Sequence, residues 1–445
     1  MPPLLLNTNP TNLWLDRRVS VVIIGAGVSG LYAASELARH GIDYVVLEAR
    51  SGAGGRILSV SAGVGSDLAS SEYVEPGVRF DLGPTWYWPA MQADLDRVIR
   101  ALGLATFAQF EDGDTLVERP ARSGVGSIQD PSGRGVDIHR THGYAASVAS
   151  SRLQGGMQSL IDALAQRLDP ARVFYSKRVT RLELAMDQGG CPQSAPKPLT
   201  SGPGDAGVRV WVQSGDDQQS MFLVHAQAVL LAMPPRLVAE NLTFDPALPP
   251  DLIRQWRQTA TWMAPHAKYL AVYRSPFWRR AGLSGQARSH VGPMVEIHDA
   301  SPPDQPTVPV PSSLSVSGSS NQCGALFGFL GVPAHVRASV PEEQIKALCR
   351  AQLVRLFGHE ARVPVAEFLK DWACDPLTAT ALDRQPDAQA QGHAPAPDIE
   401  PRQGPWQSRI IGIASEWSST FPGYVAGAIE AANLGVQKVL GHRVS

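Results

Sequence analysis

The sequence predicts an α/β fold in which a dinucleotide-binding domain is combined with a second domain, and three observations predict it. A strand, helix, strand pattern runs from Val19 to Arg56. A G-x-G-x-x-G motif lies at the junction of its first strand and its helix. The chain has 445 residues, 44% of them hydrophobic, more than one such unit needs and enough to bury a sizeable core.

The first element is Val21-Val22-Ile23-Ile24, a β-branched run suited to a strand covered on both faces. A helical pattern rich in Ala, Leu and Glu follows from Leu31 to Arg39 and stops at His40-Gly41, where Gly can take the left-handed conformation. A second strand, Tyr44-Val45-Val46-Leu47, ends in Glu48. Between strand and helix stands Gly25-Ala26-Gly27-Val28-Ser29-Gly30. The first Gly permits the tight turn, the second lets backbone approach a pyrophosphate, and the third allows close packing of helix on strand. The phosphates would sit at the helix amino terminus, where free N–H groups and the dipole favour negative charge. Glu48 stands 18 residues after Gly30, where an acid accepts hydrogen bonds from an adenosine ribose. A structural turn would also explain a bare glycine motif, but both strands, the helix and the acid in register favour dinucleotide binding.

Farther along, a helix is expected from Met157 to Leu168, strands near Arg209 to Gln213 and Val224 to Ala232, and a helix from about Pro341. In that helix Glu342 and Glu343 suit the first turn, Ile345, Leu348, Leu353 and Leu356 supply an apolar face, and Gly358 ends it. Residues 121–135, 187–207, 301–321 and 383–407 are rich in Gly, Pro and Ser and read as loops or linkers.

With 39 Lys and Arg against 41 Asp and Glu, the net charge of -2 gives no electrostatic footprint for nucleic acid, so the expected partner is a small molecule. The cysteines at 191, 323, 349 and 374 form no C-x-x-C pair, and no metal site is expected. The amino terminus lacks the basic and cleavage regions of a signal peptide. No apolar run approaches the 18 or more residues of a membrane span, so no membrane anchor is expected. These features read as a soluble, cytoplasmic protein and leave a homodimer open.

Past Glu48 comes Ala49-Arg50-Ser51-Gly52-Ala53-Gly54-Gly55-Arg56. Here the chain resembles the flavin-dependent amine oxidases of monoamine oxidase type, in which this stretch ends in Gly-Gly-Arg. The resemblance implies that Ala49, Arg50, Gly55 and Arg56 contact FAD; solvent-facing arginines in a Gly-rich loop are the alternative. More blocks follow in the family's order. Phe80-Asp81-Leu82-Gly83-Pro84-Thr85-Trp86 resembles the segment that passes the isoalloxazine, with Pro84 where a second Gly is usual. Val179, in Lys177-Arg178-Val179-Thr180, stands where backbone meets the adenine, and Ala232-Met233-Pro234-Pro235 resembles the family's strand ending. The most specific block joins Ile410 to Glu416 with Phe421-Pro422-Gly423-Tyr424-Val425 and a helix beyond. It implies that Glu416 lies near the ribityl chain and that Gly423, Tyr424 and Val425 close over the flavin.

The resemblance implies an FAD-binding Rossmann-like domain (residues 17–92, 153–246 and 405–445) interleaved with an α+β substrate-binding domain (93–152 and 247–404). It implies oxidation of an amine to an imine, reduction of oxygen to hydrogen peroxide, and hydrolysis of the imine to a carbonyl product. Lys268, in an otherwise apolar strand before Pro276-Phe277-Trp278, stands where many members hold a water beside the flavin. A buried ammonium needs hydrogen-bonding partners; periodicity alone favours an edge-strand lysine that discourages aggregation, and the resemblance reverses that preference. Tyr424 stands where the family places an aromatic wall against the amine. A second wall is expected after Trp372, yet no Tyr or Phe follows there; Trp86, Trp417 and Phe421 are the candidates to close the pocket, with core packing as their alternative. The region of covalent attachment in some relatives has no Cys here, and Cys374 is too close to Trp372, so FAD is expected to bind non-covalently. An amino-acid oxidase of the same fold, a flavin-binding protein without catalysis and a flavin desaturase, which would leave the Lys268 strand unexplained, are the rival readings. The first is disfavoured because Trp86-Tyr87-Trp88-Pro89 lacks the Arg that would pair with a substrate carboxylate.

Overall fold

A computed structural model describes residues 17–62, 78–121, 128–129, 135–142, 148–185, 207–215, 221–303, 323–388 and 392–441. The expected loops at 187–207 and 301–321 lie almost wholly outside the described residues, as does Cys191. The chain divides into two compact units.

The first unit comprises residues 1–55, 161–262 and 391–445. Its sheet is built on Arg17–Ile24, flanked in parallel by Tyr44–Leu47 and by Met221–Leu231. The predicted first strand therefore starts earlier than its apolar run, because Arg17 to Val19 find partners in Val224 to Ala226. Met221–Leu231 continues antiparallel through Val208–Ser214 to Lys177–Leu184, and Ile410–Gly412 runs parallel beside its carboxy-terminal end. Helix Val28–Arg39 connects the first two strands as expected, and Gly41 takes φ +67° just past its end. One core joins Val22, Val45, Val229 and Ile410 to Leu252, Trp256, Trp406 and Trp417.

The second unit comprises residues 56–160 and 263–390. Its sheet runs in the order Ala366–Asp371, Ala267–Tyr273, Gly324–Leu330, Met294–Asp299, Leu283–Ser289, Asp114–Pro120, Gly135–His142 and Ile128–Gln129. Helix Glu342–Phe357 packs Ile345, Cys349, Leu353 and Leu356 into one core of this unit, and Gly358 (φ +99°) ends it. Leu348, expected on the same apolar face, is exposed: it precedes Cys349, which takes the buried position. Phe80 and Leu82 pack with Leu270, Val272 and Phe327 in a second core.

The units do not share the expected boundaries. Residues 56–92 and 153–160 belong to the second unit, and 247–262 and 391–404 to the first. The reason is packing: Phe80 and Leu82 bury against Leu270 and Val272, whereas Leu252 and Trp256 of helix Pro250–Gln258 bury in the first unit's core.

Candidate active site

In the first unit the glycine motif performs the three tasks its spacing demands. Gly25 has φ +110°, and a Cβ there would lie 2.8 Å from Ala232 O. A Cβ on Gly30 would lie 2.0 Å from Gly25 O, so helix and turn are in backbone contact. Gly27 is open instead: its added Cβ would meet nothing nearer than Gly54 O at 3.9 Å, and no side chain caps the helix that follows. An anionic group can therefore reach the N–H groups of the first helical turn, and this cradle fits the pyrophosphate of FAD. Gly54 and Gly55 both take positive φ and pack on the motif, Gly54 donating its N–H to Ala26 O at 2.9 Å.

Glu48 is buried and already engaged. Its Oε2 accepts from Ala26 N and its Oε1 from Arg50 N, both at 2.7 Å, so it ties the glycine turn to the second strand. A carboxylate has about four acceptor positions, which leaves two for ribose hydroxyls. Ser29 differs from the expectation. Its hydroxyl donates to Ile413 O, so the side chain pins the helix to the strand exit, and only its backbone N–H still fits a phosphate. Ala49 and Arg50 are half-buried, and Arg50 O accepts from Ser176 N at 2.8 Å. Val179 is a core residue where the strand register slips before Arg181.

The carboxy-terminal block lies in the same unit. Tyr424 opens helix Val425–Gly441, with its N–H on Phe421 O at 3.1 Å and its carbonyl accepting from Ala428 N at 3.2 Å. Gly423 is obligatory: φ is +83° and a Cβ would lie 2.5 Å from Trp262 Cβ. Buried Glu416 accepts from Trp262 N at 3.2 Å and from Ser415 Oγ at 3.0 Å. The face of Tyr424 is covered by a residue the sequence did not flag. His393 stacks on Tyr424 at 4.8 Å and on Trp262 at 3.6 Å, and its Nδ1 lies 2.7 Å from Pro422 O. Trp417, expected as a pocket wall, is a core residue: it packs edge-on against Trp256 at 5.7 Å and is 2% exposed. Phe421 is half-buried, and its carbonyl lies so near Gly427 that a Cβ there would approach to 1.9 Å.

In the second unit Lys268 is 2% exposed. Its strand pairs with Gly324–Leu330 on one side and Ala366–Asp371 on the other, so it is an interior strand and the edge-strand explanation falls. Nζ donates to Thr85 Oγ1 at 2.7 Å and to Gly83 O at 3.1 Å, and lies 3.8 Å from the centre of the Phe327 ring. Burial pulls its pKa down to about 7; the nearby Asp81 opposes the shift and Arg152 adds to it. Asp81 accepts from Ser59 Oγ at 2.6 Å and Met157 N at 2.8 Å, and burial raises its carboxyl although Lys268 holds it down.

The segment from Leu82 to Trp86 is held from several directions. Trp372 donates its indole N–H to Leu82 O at 3.2 Å, and Trp86 donates to Gln109 Oε1 at 2.7 Å. Gly83 is packed so tightly that a Cβ would lie 2.1 Å from the carbonyl of half-buried Arg56. Pro84 is half-buried between the two residues that bind Lys268. Trp86 also meets Phe327 at 5.3 Å and His298 at 4.8 Å; His298 is a further wall that no sequence motif signals. Cys374 is free, and partial burial with nearby Asp371 pushes its thiol upward. Among the described residues no His, Cys, Asp and Glu cluster could hold a metal ion, and no helix is long and apolar enough to cross a membrane.

Comparison with known proteins bears on these two sets of residues. A family of flavin containing amine oxidoreductases matches residues 134–440, and an NAD(P)-binding Rossmann-like domain matches residues 23–102. Putrescine oxidase of Kocuria rosea is 24% identical, with 95% of each chain covered. Flavin-containing amine oxidase B of Sus scrofa is 23% identical over 96% of this chain and 87% of its own. A solved structure of wild-type putrescine oxidase bound to putrescine shares the fold, with TM-score 0.65 and 19% identity over 96% of this chain and all of its own. The family match spans more than half of the sequence, and the chain belongs to the flavin-containing amine oxidoreductases.

Proposed function

We propose that the chain holds FAD non-covalently in its first unit and oxidises a small primary or secondary amine, with oxygen as electron acceptor and hydrogen peroxide as product. When bound, FAD supplies the two-electron chemistry, taking a hydride equivalent from the carbon that bears the nitrogen. The chain's residues do the rest. The N–H groups after Gly27 bind the pyrophosphate, Glu48 binds ribose hydroxyls with its remaining lone pairs, and Gly54 and Gly55 hold the turn beside them. The amino end of the helix from Val425 favours negative charge, as the family role of this block requires. Tyr424 orients the amine, and His393 limits access to its ring. The second unit is read as the substrate domain, and the reaction as cytoplasmic; the three described cysteines are all free.

One observation carries the reading. Lys268 is a buried amine on an interior strand with two oxygen acceptors, and packing gives no reason for an ammonium there. A group poised near neutrality can hold a water and move a proton, so we assign it to the flavin half-reactions and to imine hydrolysis. The Kocuria rosea relative is named a putrescine oxidase, which makes putrescine the first substrate to try. Purified protein should be yellow, and peroxide should appear with putrescine or benzylamine in air. Oxidation of phenylalanine but not of phenethylamine would instead make the chain an amino-acid oxidase.

A further inference from the structure

We propose that Thr85 is a positioning residue of the amine-oxidation reaction: its hydroxyl, together with the Gly83 carbonyl, fixes the Lys268 amino group and sets the pH at which that group changes charge. The inference rests on the reading that Lys268 acts in the reaction. An ammonium has three donors; in this unit Thr85 Oγ1 and Gly83 O accept two of them, and the face of Phe327 lies 3.8 Å from Nζ. Two of these are fixed by the fold. The Gly83 carbonyl belongs to a backbone that packs on Arg56 and Leu58, and Phe327 lies in the sheet core against Leu270 and Val272. Thr85 is the one side chain among the described residues that hydrogen-bonds the amine, and it is 4% exposed.

Other charges also surround Lys268 in this unit. Asp81, on Phe80–Asp81, favours the ammonium, and Arg152, on Ser151–Leu153, disfavours it. Lys370 lies opposite Lys268 on the neighbouring strand, with its own ammonium bonded to Asp375 at 2.9 Å and over the Trp372 ring at 4.5 Å. The strand on the other side faces it with Phe327 and Phe329. None of these groups changes when the Thr85 hydroxyl is removed, so a Thr85→Val change isolates the hydroxyl while keeping the branched shape. Losing an acceptor from the charged form disfavours that form. The titration of Lys268 should therefore move to lower pH, by about one to two pH units for a hydrogen bond to a buried charge.

The test uses the purified flavoprotein and four variants, with flavin content and circular dichroism as controls: Lys268→Met, Thr85→Val, Thr85→Ala and Thr85→Ser. The pH profiles of amine-driven flavin reduction and of reoxidation are measured, and the 15Nζ lysine signal absent from Lys268→Met is titrated without substrate. The expected result is an inflection that disappears in Lys268→Met, moves down in Thr85→Val and Thr85→Ala, and stays in place in Thr85→Ser, with the 15N titration moving in parallel. Thr85→Ala keeps the test alive if the valine does not fit. An inflection that survives in Lys268→Met would overturn the role of Lys268 and the inference with it. An inflection that vanishes there, yet stays unmoved in both Thr85→Val and Thr85→Ala, would leave Lys268 standing and overturn the inference alone.

Discussion

Replacing Lys268 with Met separates chemistry from packing at the buried amine of the second unit. Met keeps the unbranched apolar stem and deletes the charge, so the volume between Phe327 and the Leu82 to Trp86 segment stays filled. Two structural costs oppose each other. Gly83 O and Thr85 Oγ1 lose their charged donor, at roughly 1 to 3 kcal/mol for a buried acceptor left unpaired. The variant is also relieved of an ammonium whose burial outweighs its attractions, as the fall from 10.5 to about 7 shows. The sign follows. Between about 7 and 10.5 the unfolded chain holds a proton that the folded chain has released, so wild-type stability gains with rising pH across that window through this group. The variant lacks that gain and should be favoured relative to wild type below pH 7. Fold and flavin content should survive. Rates should fall, because a preorganised group is lost from the site, and such losses are worth about 2 to 4 kcal/mol, or roughly 30- to 1000-fold. Stopped-flow reduction under anaerobic conditions and reoxidation on mixing with oxygen show which half-reaction suffers. If both stay within about twofold of wild type, the buried lysine is structural and the proposed role fails.

Three further outcomes test other parts. Gly30→Val should abolish flavin retention, since even a Cβ would lie 2.0 Å from Gly25 O; normal flavin content would reduce the motif to a turn. Acid precipitation should leave FAD in the supernatant, because Cys374 is a free thiol pushed away from its thiolate form, whereas a yellow pellet would point to covalent attachment. His393→Ala should uncover the ring of Tyr424 and lower KM for bulky arylalkyl amines relative to small ones, with kcat little changed; contacts of this kind are worth about 0.5 to 2 kcal/mol, roughly 2- to 30-fold. An unchanged KM ratio would make His393 only an anchor of its loop.

What was legible in the sequence was what short segments constrain by themselves. The glycine motif could be read because a turn, a close approach and a helix packing on it impose local demands at Gly25, Gly27 and Gly30. Helix Glu342–Phe357 was legible for the same reason, through its acidic first turn and its terminal Gly. Residues that meet only in three dimensions were not. Thr85 and Lys268 are 183 positions apart, and nothing at either one names the other. His393 stands alone in a Pro and Ala rich stretch that reads as a linker, and its place on Tyr424 depends on Trp262 behind it. Trp417 was read as a pocket wall because an aromatic beside a site motif can face either way; here Trp256 and the close approach to Gly412 take it into the core. The unit boundaries escaped because burial of Phe80 and Trp256, rather than any Pro or Gly signal, decides which core each segment joins.

The central claim is that this chain binds FAD and uses it to oxidise an amine. Anaerobic addition of putrescine, benzylamine and phenylalanine to the purified protein, followed by flavin absorbance, tests it most directly. A flavin spectrum at the start and bleaching by at least one of the two amines are expected, with no bleaching by the amino acid. A colourless protein that binds NAD instead of flavin, or a flavin spectrum that neither amine changes, would contradict it.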